Sequence, residues 1–489
     1  MKKITDYTFT ALIILALGIT AGCGKKSSGT VTPPPVVPPV VPPPVTPAKT
    51  DVAMWLTNAD QSVLFKKQNV SLLFSTATNQ NPTIEVDTTQ TYQSIDGFGF
   101  ALTGGSASLI NSLPSAQKDA LIKELFATDT NNIGISYIRL TLGASDLSAA
   151  PFSYDEPVLR TTDEDMKEFT IDMEKKDLIP VIKSILAVNP NIKILACPWS
   201  APTWMKDNKS FYGGSLKPEY FGAFAKYFVK YIQAMKAEGI TIDAITPQNE
   251  PLNAYNNPSM LMLSADQGKF IKNNLGPAFK AANINTKIII YDHNLDHPEY
   301  ATDILKDADA AAYIDGSAFH LYAGNISTLN SVHNAAPTKN VYFTEQATFG
   351  DGNFGSDLSW HVSNLIVGAT RNWSRNVIEW NLASDPQFKP HTTGGCGTCQ
   401  GAITVGASVA RNVSYYIIAH AAKFVRPGSV RIASNIVNNL QNVAFKTPDG
   451  KKALIVLNSN NATTTFNIKF KGKMVSTTLF SGAVATYVW

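Results

Sequence analysis

Two glutamates stand out by their neighbours. Glu250 lies in Gln248-Asn249-Glu250-Pro251, just after the apolar run 242–245, and Glu345 closes Tyr342-Phe343-Thr344-Glu345. Two such carboxylates suit a division of labour. One holds a proton and helps a leaving oxygen depart, while the other stays ionised to attack or to activate water, so their surroundings must push their pKa values apart. Arg139 beside Glu345 would keep that carboxylate charged and oriented. Glu250, nearer a like charge and apolar walls, is expected to hold its proton longer.

These groups need a frame that brings distant residues together. From about residue 95 to 420, β-like runs alternate with helical patterns. The candidate strands are 94–102, 137–143, 192–199, 243–250, 287–293, 316–322, 341–346 and 376–382. Between them lie segments such as 220–239, whose apolar positions recur every three or four residues and which ends in Gly239, as a helix C-cap should. Eight such alternations predict an α/β fold, a (β/α)8 TIM barrel over 95–422. An open doubly wound sheet is the competing architecture, but Gly97 to Gly105 lacks the G-x-G-x-x-G spacing of its phosphate turn. Both flanks are β-rich, at 51–94 and 423–489, which predicts a side β-sandwich assembled from the two chain ends.

Seven of the candidate strands end in chemically useful residues: Arg139, Trp199, Asn249-Glu250, Asp292-His293, His320 with Tyr322, Glu345 and Trp380. Barrel enzymes work at this end of their strands. Paired acids there suit hydrolysis of a glycosidic bond, and Trp199, Trp204 and Trp380 supply aromatic faces for sugar C–H groups. Pro251 disfavours helical geometry at Glu250 and is expected to keep the strand extended up to the acid. Pro247 donates no ladder bond, so a bulge or frayed ladder is expected there.

Other signals are weaker. His293 and His297 are four apart, but in a strand-to-loop context ending at Pro298, so no metal site is expected. Cys197 in an apolar run reads as a small buried hydrophobe. Cys396 and Cys399 form a lone C-x-x-C in a Gly-rich loop, and outside the cytoplasm a local disulfide is expected. The 489 residues are 44% hydrophobic and 16% charged with a net charge of +3, and their Lys and Arg are scattered, which argues against nucleic acid as a partner. A monomer is expected.

The chain starts with Lys2-Lys3, an apolar stretch 9–19 and small residues before Cys23. This resembles a bacterial lipoprotein signal and implies cleavage of 1–22, a lipid on Cys23, and a place in the cell envelope, at the outer membrane. The linker 23–50 contains nine prolines among the 16 residues 32–47. It should form a stiff polyproline II spacer, roughly 50 Å long at about 3.1 Å per residue.

Several ordered motifs together resemble glycoside hydrolase family 30, which includes glucosylceramidases and endo-β-1,6-glucanases. They are DGFGFALTGGSA, YIRLTLGASDLS, CPWSAPTWMK, PQNEPLN, FHLY, YFTEQ, RNWSRNVIEWNLASDP and KFVRPGSVRIAS. The resemblance implies retaining hydrolysis without metal or other cofactor. It implies Glu250 as acid/base, Glu345 as nucleophile, Asn249 as the contact to a sugar 2-hydroxyl and Arg139 as support for the nucleophile. Asp146, Trp199 and Trp380 match residues that hold a glucosyl unit, and His320 and Tyr322 match the pair beside the nucleophile. The loop QFKPHTTGGCGTCQG favours a microbial β-glucan. The expectation is therefore an endo-β-1,6-glucanase. The alternatives are an exo-acting β-glucosidase or glucosylceramidase-like hydrolase, and a non-catalytic glycan-binding surface lipoprotein.

Overall fold

A computed structural model describes residues 49–489. The leader, Cys23 and most of the proline-rich segment lie outside the described residues. Eight parallel strands close into a barrel, in chain order Gly97–Leu102, Tyr137–Thr141, Lys193–Cys197, Ala244–Ile245, Lys287–Asn294, Ile314–His320, Asn340–Glu345 and Ser374–Asn381. All eight fall within or against the predicted runs, so the TIM-barrel expectation holds. The strands are almost wholly buried, as parallel strands covered by helices on the outside must be. Helix Phe221–Ala237 shows how a crossover is built. It buries Phe224, Tyr227, Phe228, Tyr231 and Met235 on one face. It ends where Ile240 N–H bonds to Met235 O and Gly239 takes φ +81°, a conformation that costs glycine little.

The fourth strand is much shorter than the predicted 243–250. Its ladder covers only Ala244 and Ile245, because Pro247 cannot donate a strand hydrogen bond. The chain beyond it is held by other means. Asn249 N–H bonds to Pro198 O and Glu250 N–H bonds to Asp292 O.

Both chain ends build one nine-stranded sheet. Ala53–Thr57 pairs antiparallel with Val484–Val488, and Thr83–Ser94 pairs with Val430–Ser434. Residues 70–75 form no strand; Ser75 makes an isolated bridge to Met474, and Leu72 O accepts from Asp51 and Val52 N–H. His420 ties this sheet to the last barrel helix, Val413–Ala422. It is fully buried, with its ring nitrogens 2.8 Å from Thr57 Oγ1 and 2.9 Å from Thr486 Oγ1. Burial lowers its pKa to about 3.

Candidate active site

The C-terminal ends of the strands converge on Arg139, whose side chain is completely buried. Its Nη1 lies 2.6 Å from Glu345 Oε2, and its Nη2 donates to Asn249 Oδ1 at 2.7 Å and Asp292 Oδ2 at 2.8 Å. Burial works against this charge, but the carboxylates of Asp292 and Glu345 more than offset it, so Arg139 stays protonated. Trp199 and Trp380 stack at 5.3 Å, and the guanidinium carbon sits 4.8 Å from the Trp199 ring. Both tryptophans are nearly buried at 1% and 3% exposure, so they clamp Arg139 as well as lining the cleft. Trp204 is packed elsewhere, its indole N–H donating to Asp155 O at 3.0 Å.

Strand register brings the second pair together. Glu345 on the seventh strand sits beside His320 on the sixth. His320 Nδ1 lies 3.1 Å from Glu250 Oε1, its Nε2 lies 3.1 Å from Asp292 Oδ1, and Tyr322 OH donates to Glu345 Oε1 at 3.0 Å. Asn253 Nδ2 donates to the other oxygen of Glu250 at 2.7 Å. Side-chain atoms of Glu250, His320 and Glu345 all lie within 4.8 Å of one another. Three such groups are near enough to share a cation, but His320 spends both ring nitrogens on carboxylates and Arg139 already occupies Glu345.

Asp292 is the residue the sequence reading named at a strand end but left out of the site. Its carboxylate accepts from Arg139, from Thr246 and Thr344 at 2.6 Å each, and lies 3.1 Å from Cys197 Sγ. Burial raises its pKa, yet Arg139, His320 and Thr246 hold it well below the usual carboxylate range. Cys197 is therefore a partner of this network and not only a small apolar filler. The ladder frays at Pro247, one of the two outcomes expected there, and a bulge lies on the fifth strand. There the register with the sixth strand shifts between Tyr291 and His293, and Tyr291 and Asp292 take φ +74° and +70°. Such a bulge re-aims a side chain, here the Asp292 carboxylate, toward the barrel axis where Arg139 lies.

Glu250 also departs from expectation. Its φ is +45°, so it occupies the left-handed region and not an extended one. Pro251 disfavours right-handed helical geometry here, and the turn in which Asn253 N–H bonds to Glu250 O accompanies the left-handed one.

The proton order is reversed relative to the sequence expectation. Burial raises Glu250, but the hydrogen bond and charge of His320, with His293, pull it down to about 2. Burial raises Glu345 above 4.5 despite His320 and Arg139. Burial lowers His320, while Glu345, Asp292 and Glu250 bring it up to about 9. In the free enzyme the proton of the Glu250–His320 hydrogen bond therefore rests on His320.

Asp146 completes the cleft. It is 4% exposed, its Oδ2 accepts from Cys396 N–H at 3.2 Å, and its Oδ1 has no protein partner. Burial and then Glu345 raise its pKa to about 7. Cys396 and Cys399 are joined by a disulfide and line the same cavity of about 360 Å³ as Asp146, Glu250 and Glu345. A side chain at Gly395 would meet Asp146 O at 2.5 Å, so glycine lets this loop lie on Asp146. A larger cavity of about 570 Å³ opens at the opposite barrel mouth. Two of its lysines form ion pairs, Lys193 with Asp243 and Lys287 with Asp315, as suits the stabilising end of a barrel.

The glycosyl hydrolase family 30 TIM-barrel domain matches residues 95–425, and the family 30 beta sandwich domain matches 428–487. The chain belongs to glycosyl hydrolase family 30. It is a glycoside hydrolase. An endo-1,6-beta-D-glucanase of Neurospora crassa is 35% identical over 418 residues, covering 81% of this chain and 85% of that protein. The lysosomal acid glucosylceramidase of Mus musculus is 27% identical over 429 residues, covering 81% of each. A solved endo-beta1,6-glucanase superposes with a TM-score of 0.85 at 35% identity, covering 90% of this chain and 99% of that one. Family 30 architecture thus accounts for the barrel and for the sheet beside it.

Proposed function

We propose that this family 30 enzyme is an endo-β-1,6-glucanase acting by double displacement. The observation that carries the chemistry is the approach of Glu250 and Glu345, with carboxylate oxygens within 4.8 Å across one cleft. Retaining hydrolases hold their carboxyl groups about 5–5.5 Å apart, whereas inverting ones need roughly 6.5–9.5 Å to admit a water. Glu345 attacks the anomeric carbon, forming a C1–O ester as the glycosidic C1–O bond breaks. Glu250 delivers a proton to the leaving oxygen, then takes one from the water that cleaves the ester. The delivered proton comes from the Glu250–His320 pair: it rests on His320 in the free enzyme and crosses the 3.1 Å hydrogen bond to Glu250 as the leaving oxygen departs. Arg139 and Tyr322 orient Glu345, Asn249 is fixed by Arg139 beside the site of attack, and the free oxygen of Asp146 suits a sugar hydroxyl.

The β-1,6 linkage is supported by the glucanase relatives at 35% identity. The lipoprotein-like start supports an enzyme anchored to the cell envelope through Cys23. The test is product analysis. Pustulan should yield oligosaccharides with the β-anomer first by NMR, in excess over laminarin and a glucosylceramide analogue, and Glu345→Gln should abolish turnover. An α-anomer first would sink the mechanism. Glucose as the sole early product would turn the reading to an exo-acting β-glucosidase.

A further inference from the structure

A further cavity of about 400 Å³ lies behind the loop that follows the seventh barrel strand. Phe349 lines both this cavity and the catalytic cleft, so the two share a wall. Gln346, the residue after Glu345, and Thr348 line it too, and they are only 6% and 3% exposed. Yet Gln346 Oε1 and Thr348 Oγ1 have no protein hydrogen-bond partner. Buried polar atoms in that condition are rare unless something from outside the chain meets them. Beside them two large aromatic rings stay open to solvent, Trp360 at 40% and Phe349 at 38% exposure. His361, also on the lining, is braced by Glu379 at 2.8 Å and packs edge-on to Trp360. Asp351 and Asp357 at the rim exclude an anionic ligand. Open aromatic faces beside buried acceptors fit a neutral ligand with an apolar face and several hydroxyl donors.

We propose that this cavity is a second glucosyl subsite, taking a further unit of the same β-1,6-glucan. The inference rests on the endo-β-1,6-glucanase reading. Trp360 offers the platform for the C–H face of the ring, and Gln346 Oε1 and Thr348 Oγ1 accept from its hydroxyls. Phe349 is the partition around which the glucan passes from this subsite to the catalytic one.

The test is the chain-length dependence of hydrolysis, using gentio-oligosaccharides of two to five units and an aryl β-glucoside. In the wild type kcat/KM should rise with length. Trp360→Ala should lower the ratio of kcat/KM on the five-unit chain to that on the aryl glucoside by roughly tenfold, the scale on which a truncated aromatic contact weakens binding. Thr348→Val, nearly isosteric, should lower the same ratio less and in the same direction. Binding of the five-unit chain to Glu345→Gln, followed by tryptophan fluorescence, should weaken when Trp360→Ala is added. A ratio unchanged in both variants overturns the subsite while leaving the enzyme a β-1,6-glucanase. Failure of the wild type to hydrolyse any β-1,6-linked chain overturns both.

Discussion

His320 Nδ1 stands 3.1 Å from Glu250 Oε1, while its other ring nitrogen is anchored 3.1 Å from Asp292 Oδ1. The imidazole is thus fixed from behind by a carboxylate that stays ionised, and what varies is the proton in front, toward Glu250. His320 is raised to about 9 and Glu345 is raised above 4.5. Activity needs Glu345 ionised and one proton in the Glu250–His320 pair. The profile of kcat/KM should therefore have an acid limb above pH 4.5 from Glu345 and a basic limb near pH 9 from the pair. His320→Gln should move the basic limb toward acid, because Glu250 alone must then keep the proton. A basic limb that stays in place in this variant would remove His320 from the proton inventory.

Arg139 has no solvent to fall back on. Its replacement by Met would leave Asp292 and Glu345 buried without their cation. Breaking a buried pair in this way costs about 3–5 kcal/mol. Urea unfolding of Arg139→Met should show a loss of that order together with loss of turnover. A variant as stable as the wild type would mean that the carboxylates take up protons without penalty.

The disulfide loop bonds the Asp146 carboxylate through Cys396 N–H. Chain entropy for so short a loop is worth about 2 kcal/mol at most. Reduction, or Cys396→Ser with Cys399→Ser, should therefore act mainly on Asp146. The expected result is a KM for short gentio-oligosaccharides raised roughly fivefold, the equivalent of about 1 kcal/mol for one hydrogen bond, with kcat little changed. Equal KM values in the reduced and oxidised enzyme would count against this coupling.

His420 should make the enzyme acid-sensitive. Its folded pKa is about 3, below the 6.5 of an unfolded histidine. The unfolded chain therefore takes up the proton first, and this contribution to stability is present above pH 6.5 and lost as pH falls toward 3. The slope approaches about 1.4 kcal/mol per pH unit for a single proton. Replacing His420 with Gln should flatten the dependence of Tm on pH in this window. An unchanged slope would assign the acid sensitivity to other groups.

Much of this protein was legible in its sequence, for local reasons. Apolar strand-length runs alternating with helical periodicity specify a parallel barrel, because each run must be buried on both faces. The chemistry-bearing ends of those runs, from Arg139 to Trp380, followed once the strands were set parallel. What tertiary structure alone decided depends on which atoms meet across strands. Asp292 stood in plain view at a strand end, but only a bulge at Tyr291 and Asp292 turns its carboxylate onto Arg139 and His320. The turn that places Glu250 in the left-handed region could not be read from Pro251, which disfavours one conformation and does not choose among the others. The order of protonation depends on distances of a few ångströms between buried charges. His320 happens to contact Glu250 directly and to stand 3.9 Å from Glu345, and that difference reverses the order expected from residue types.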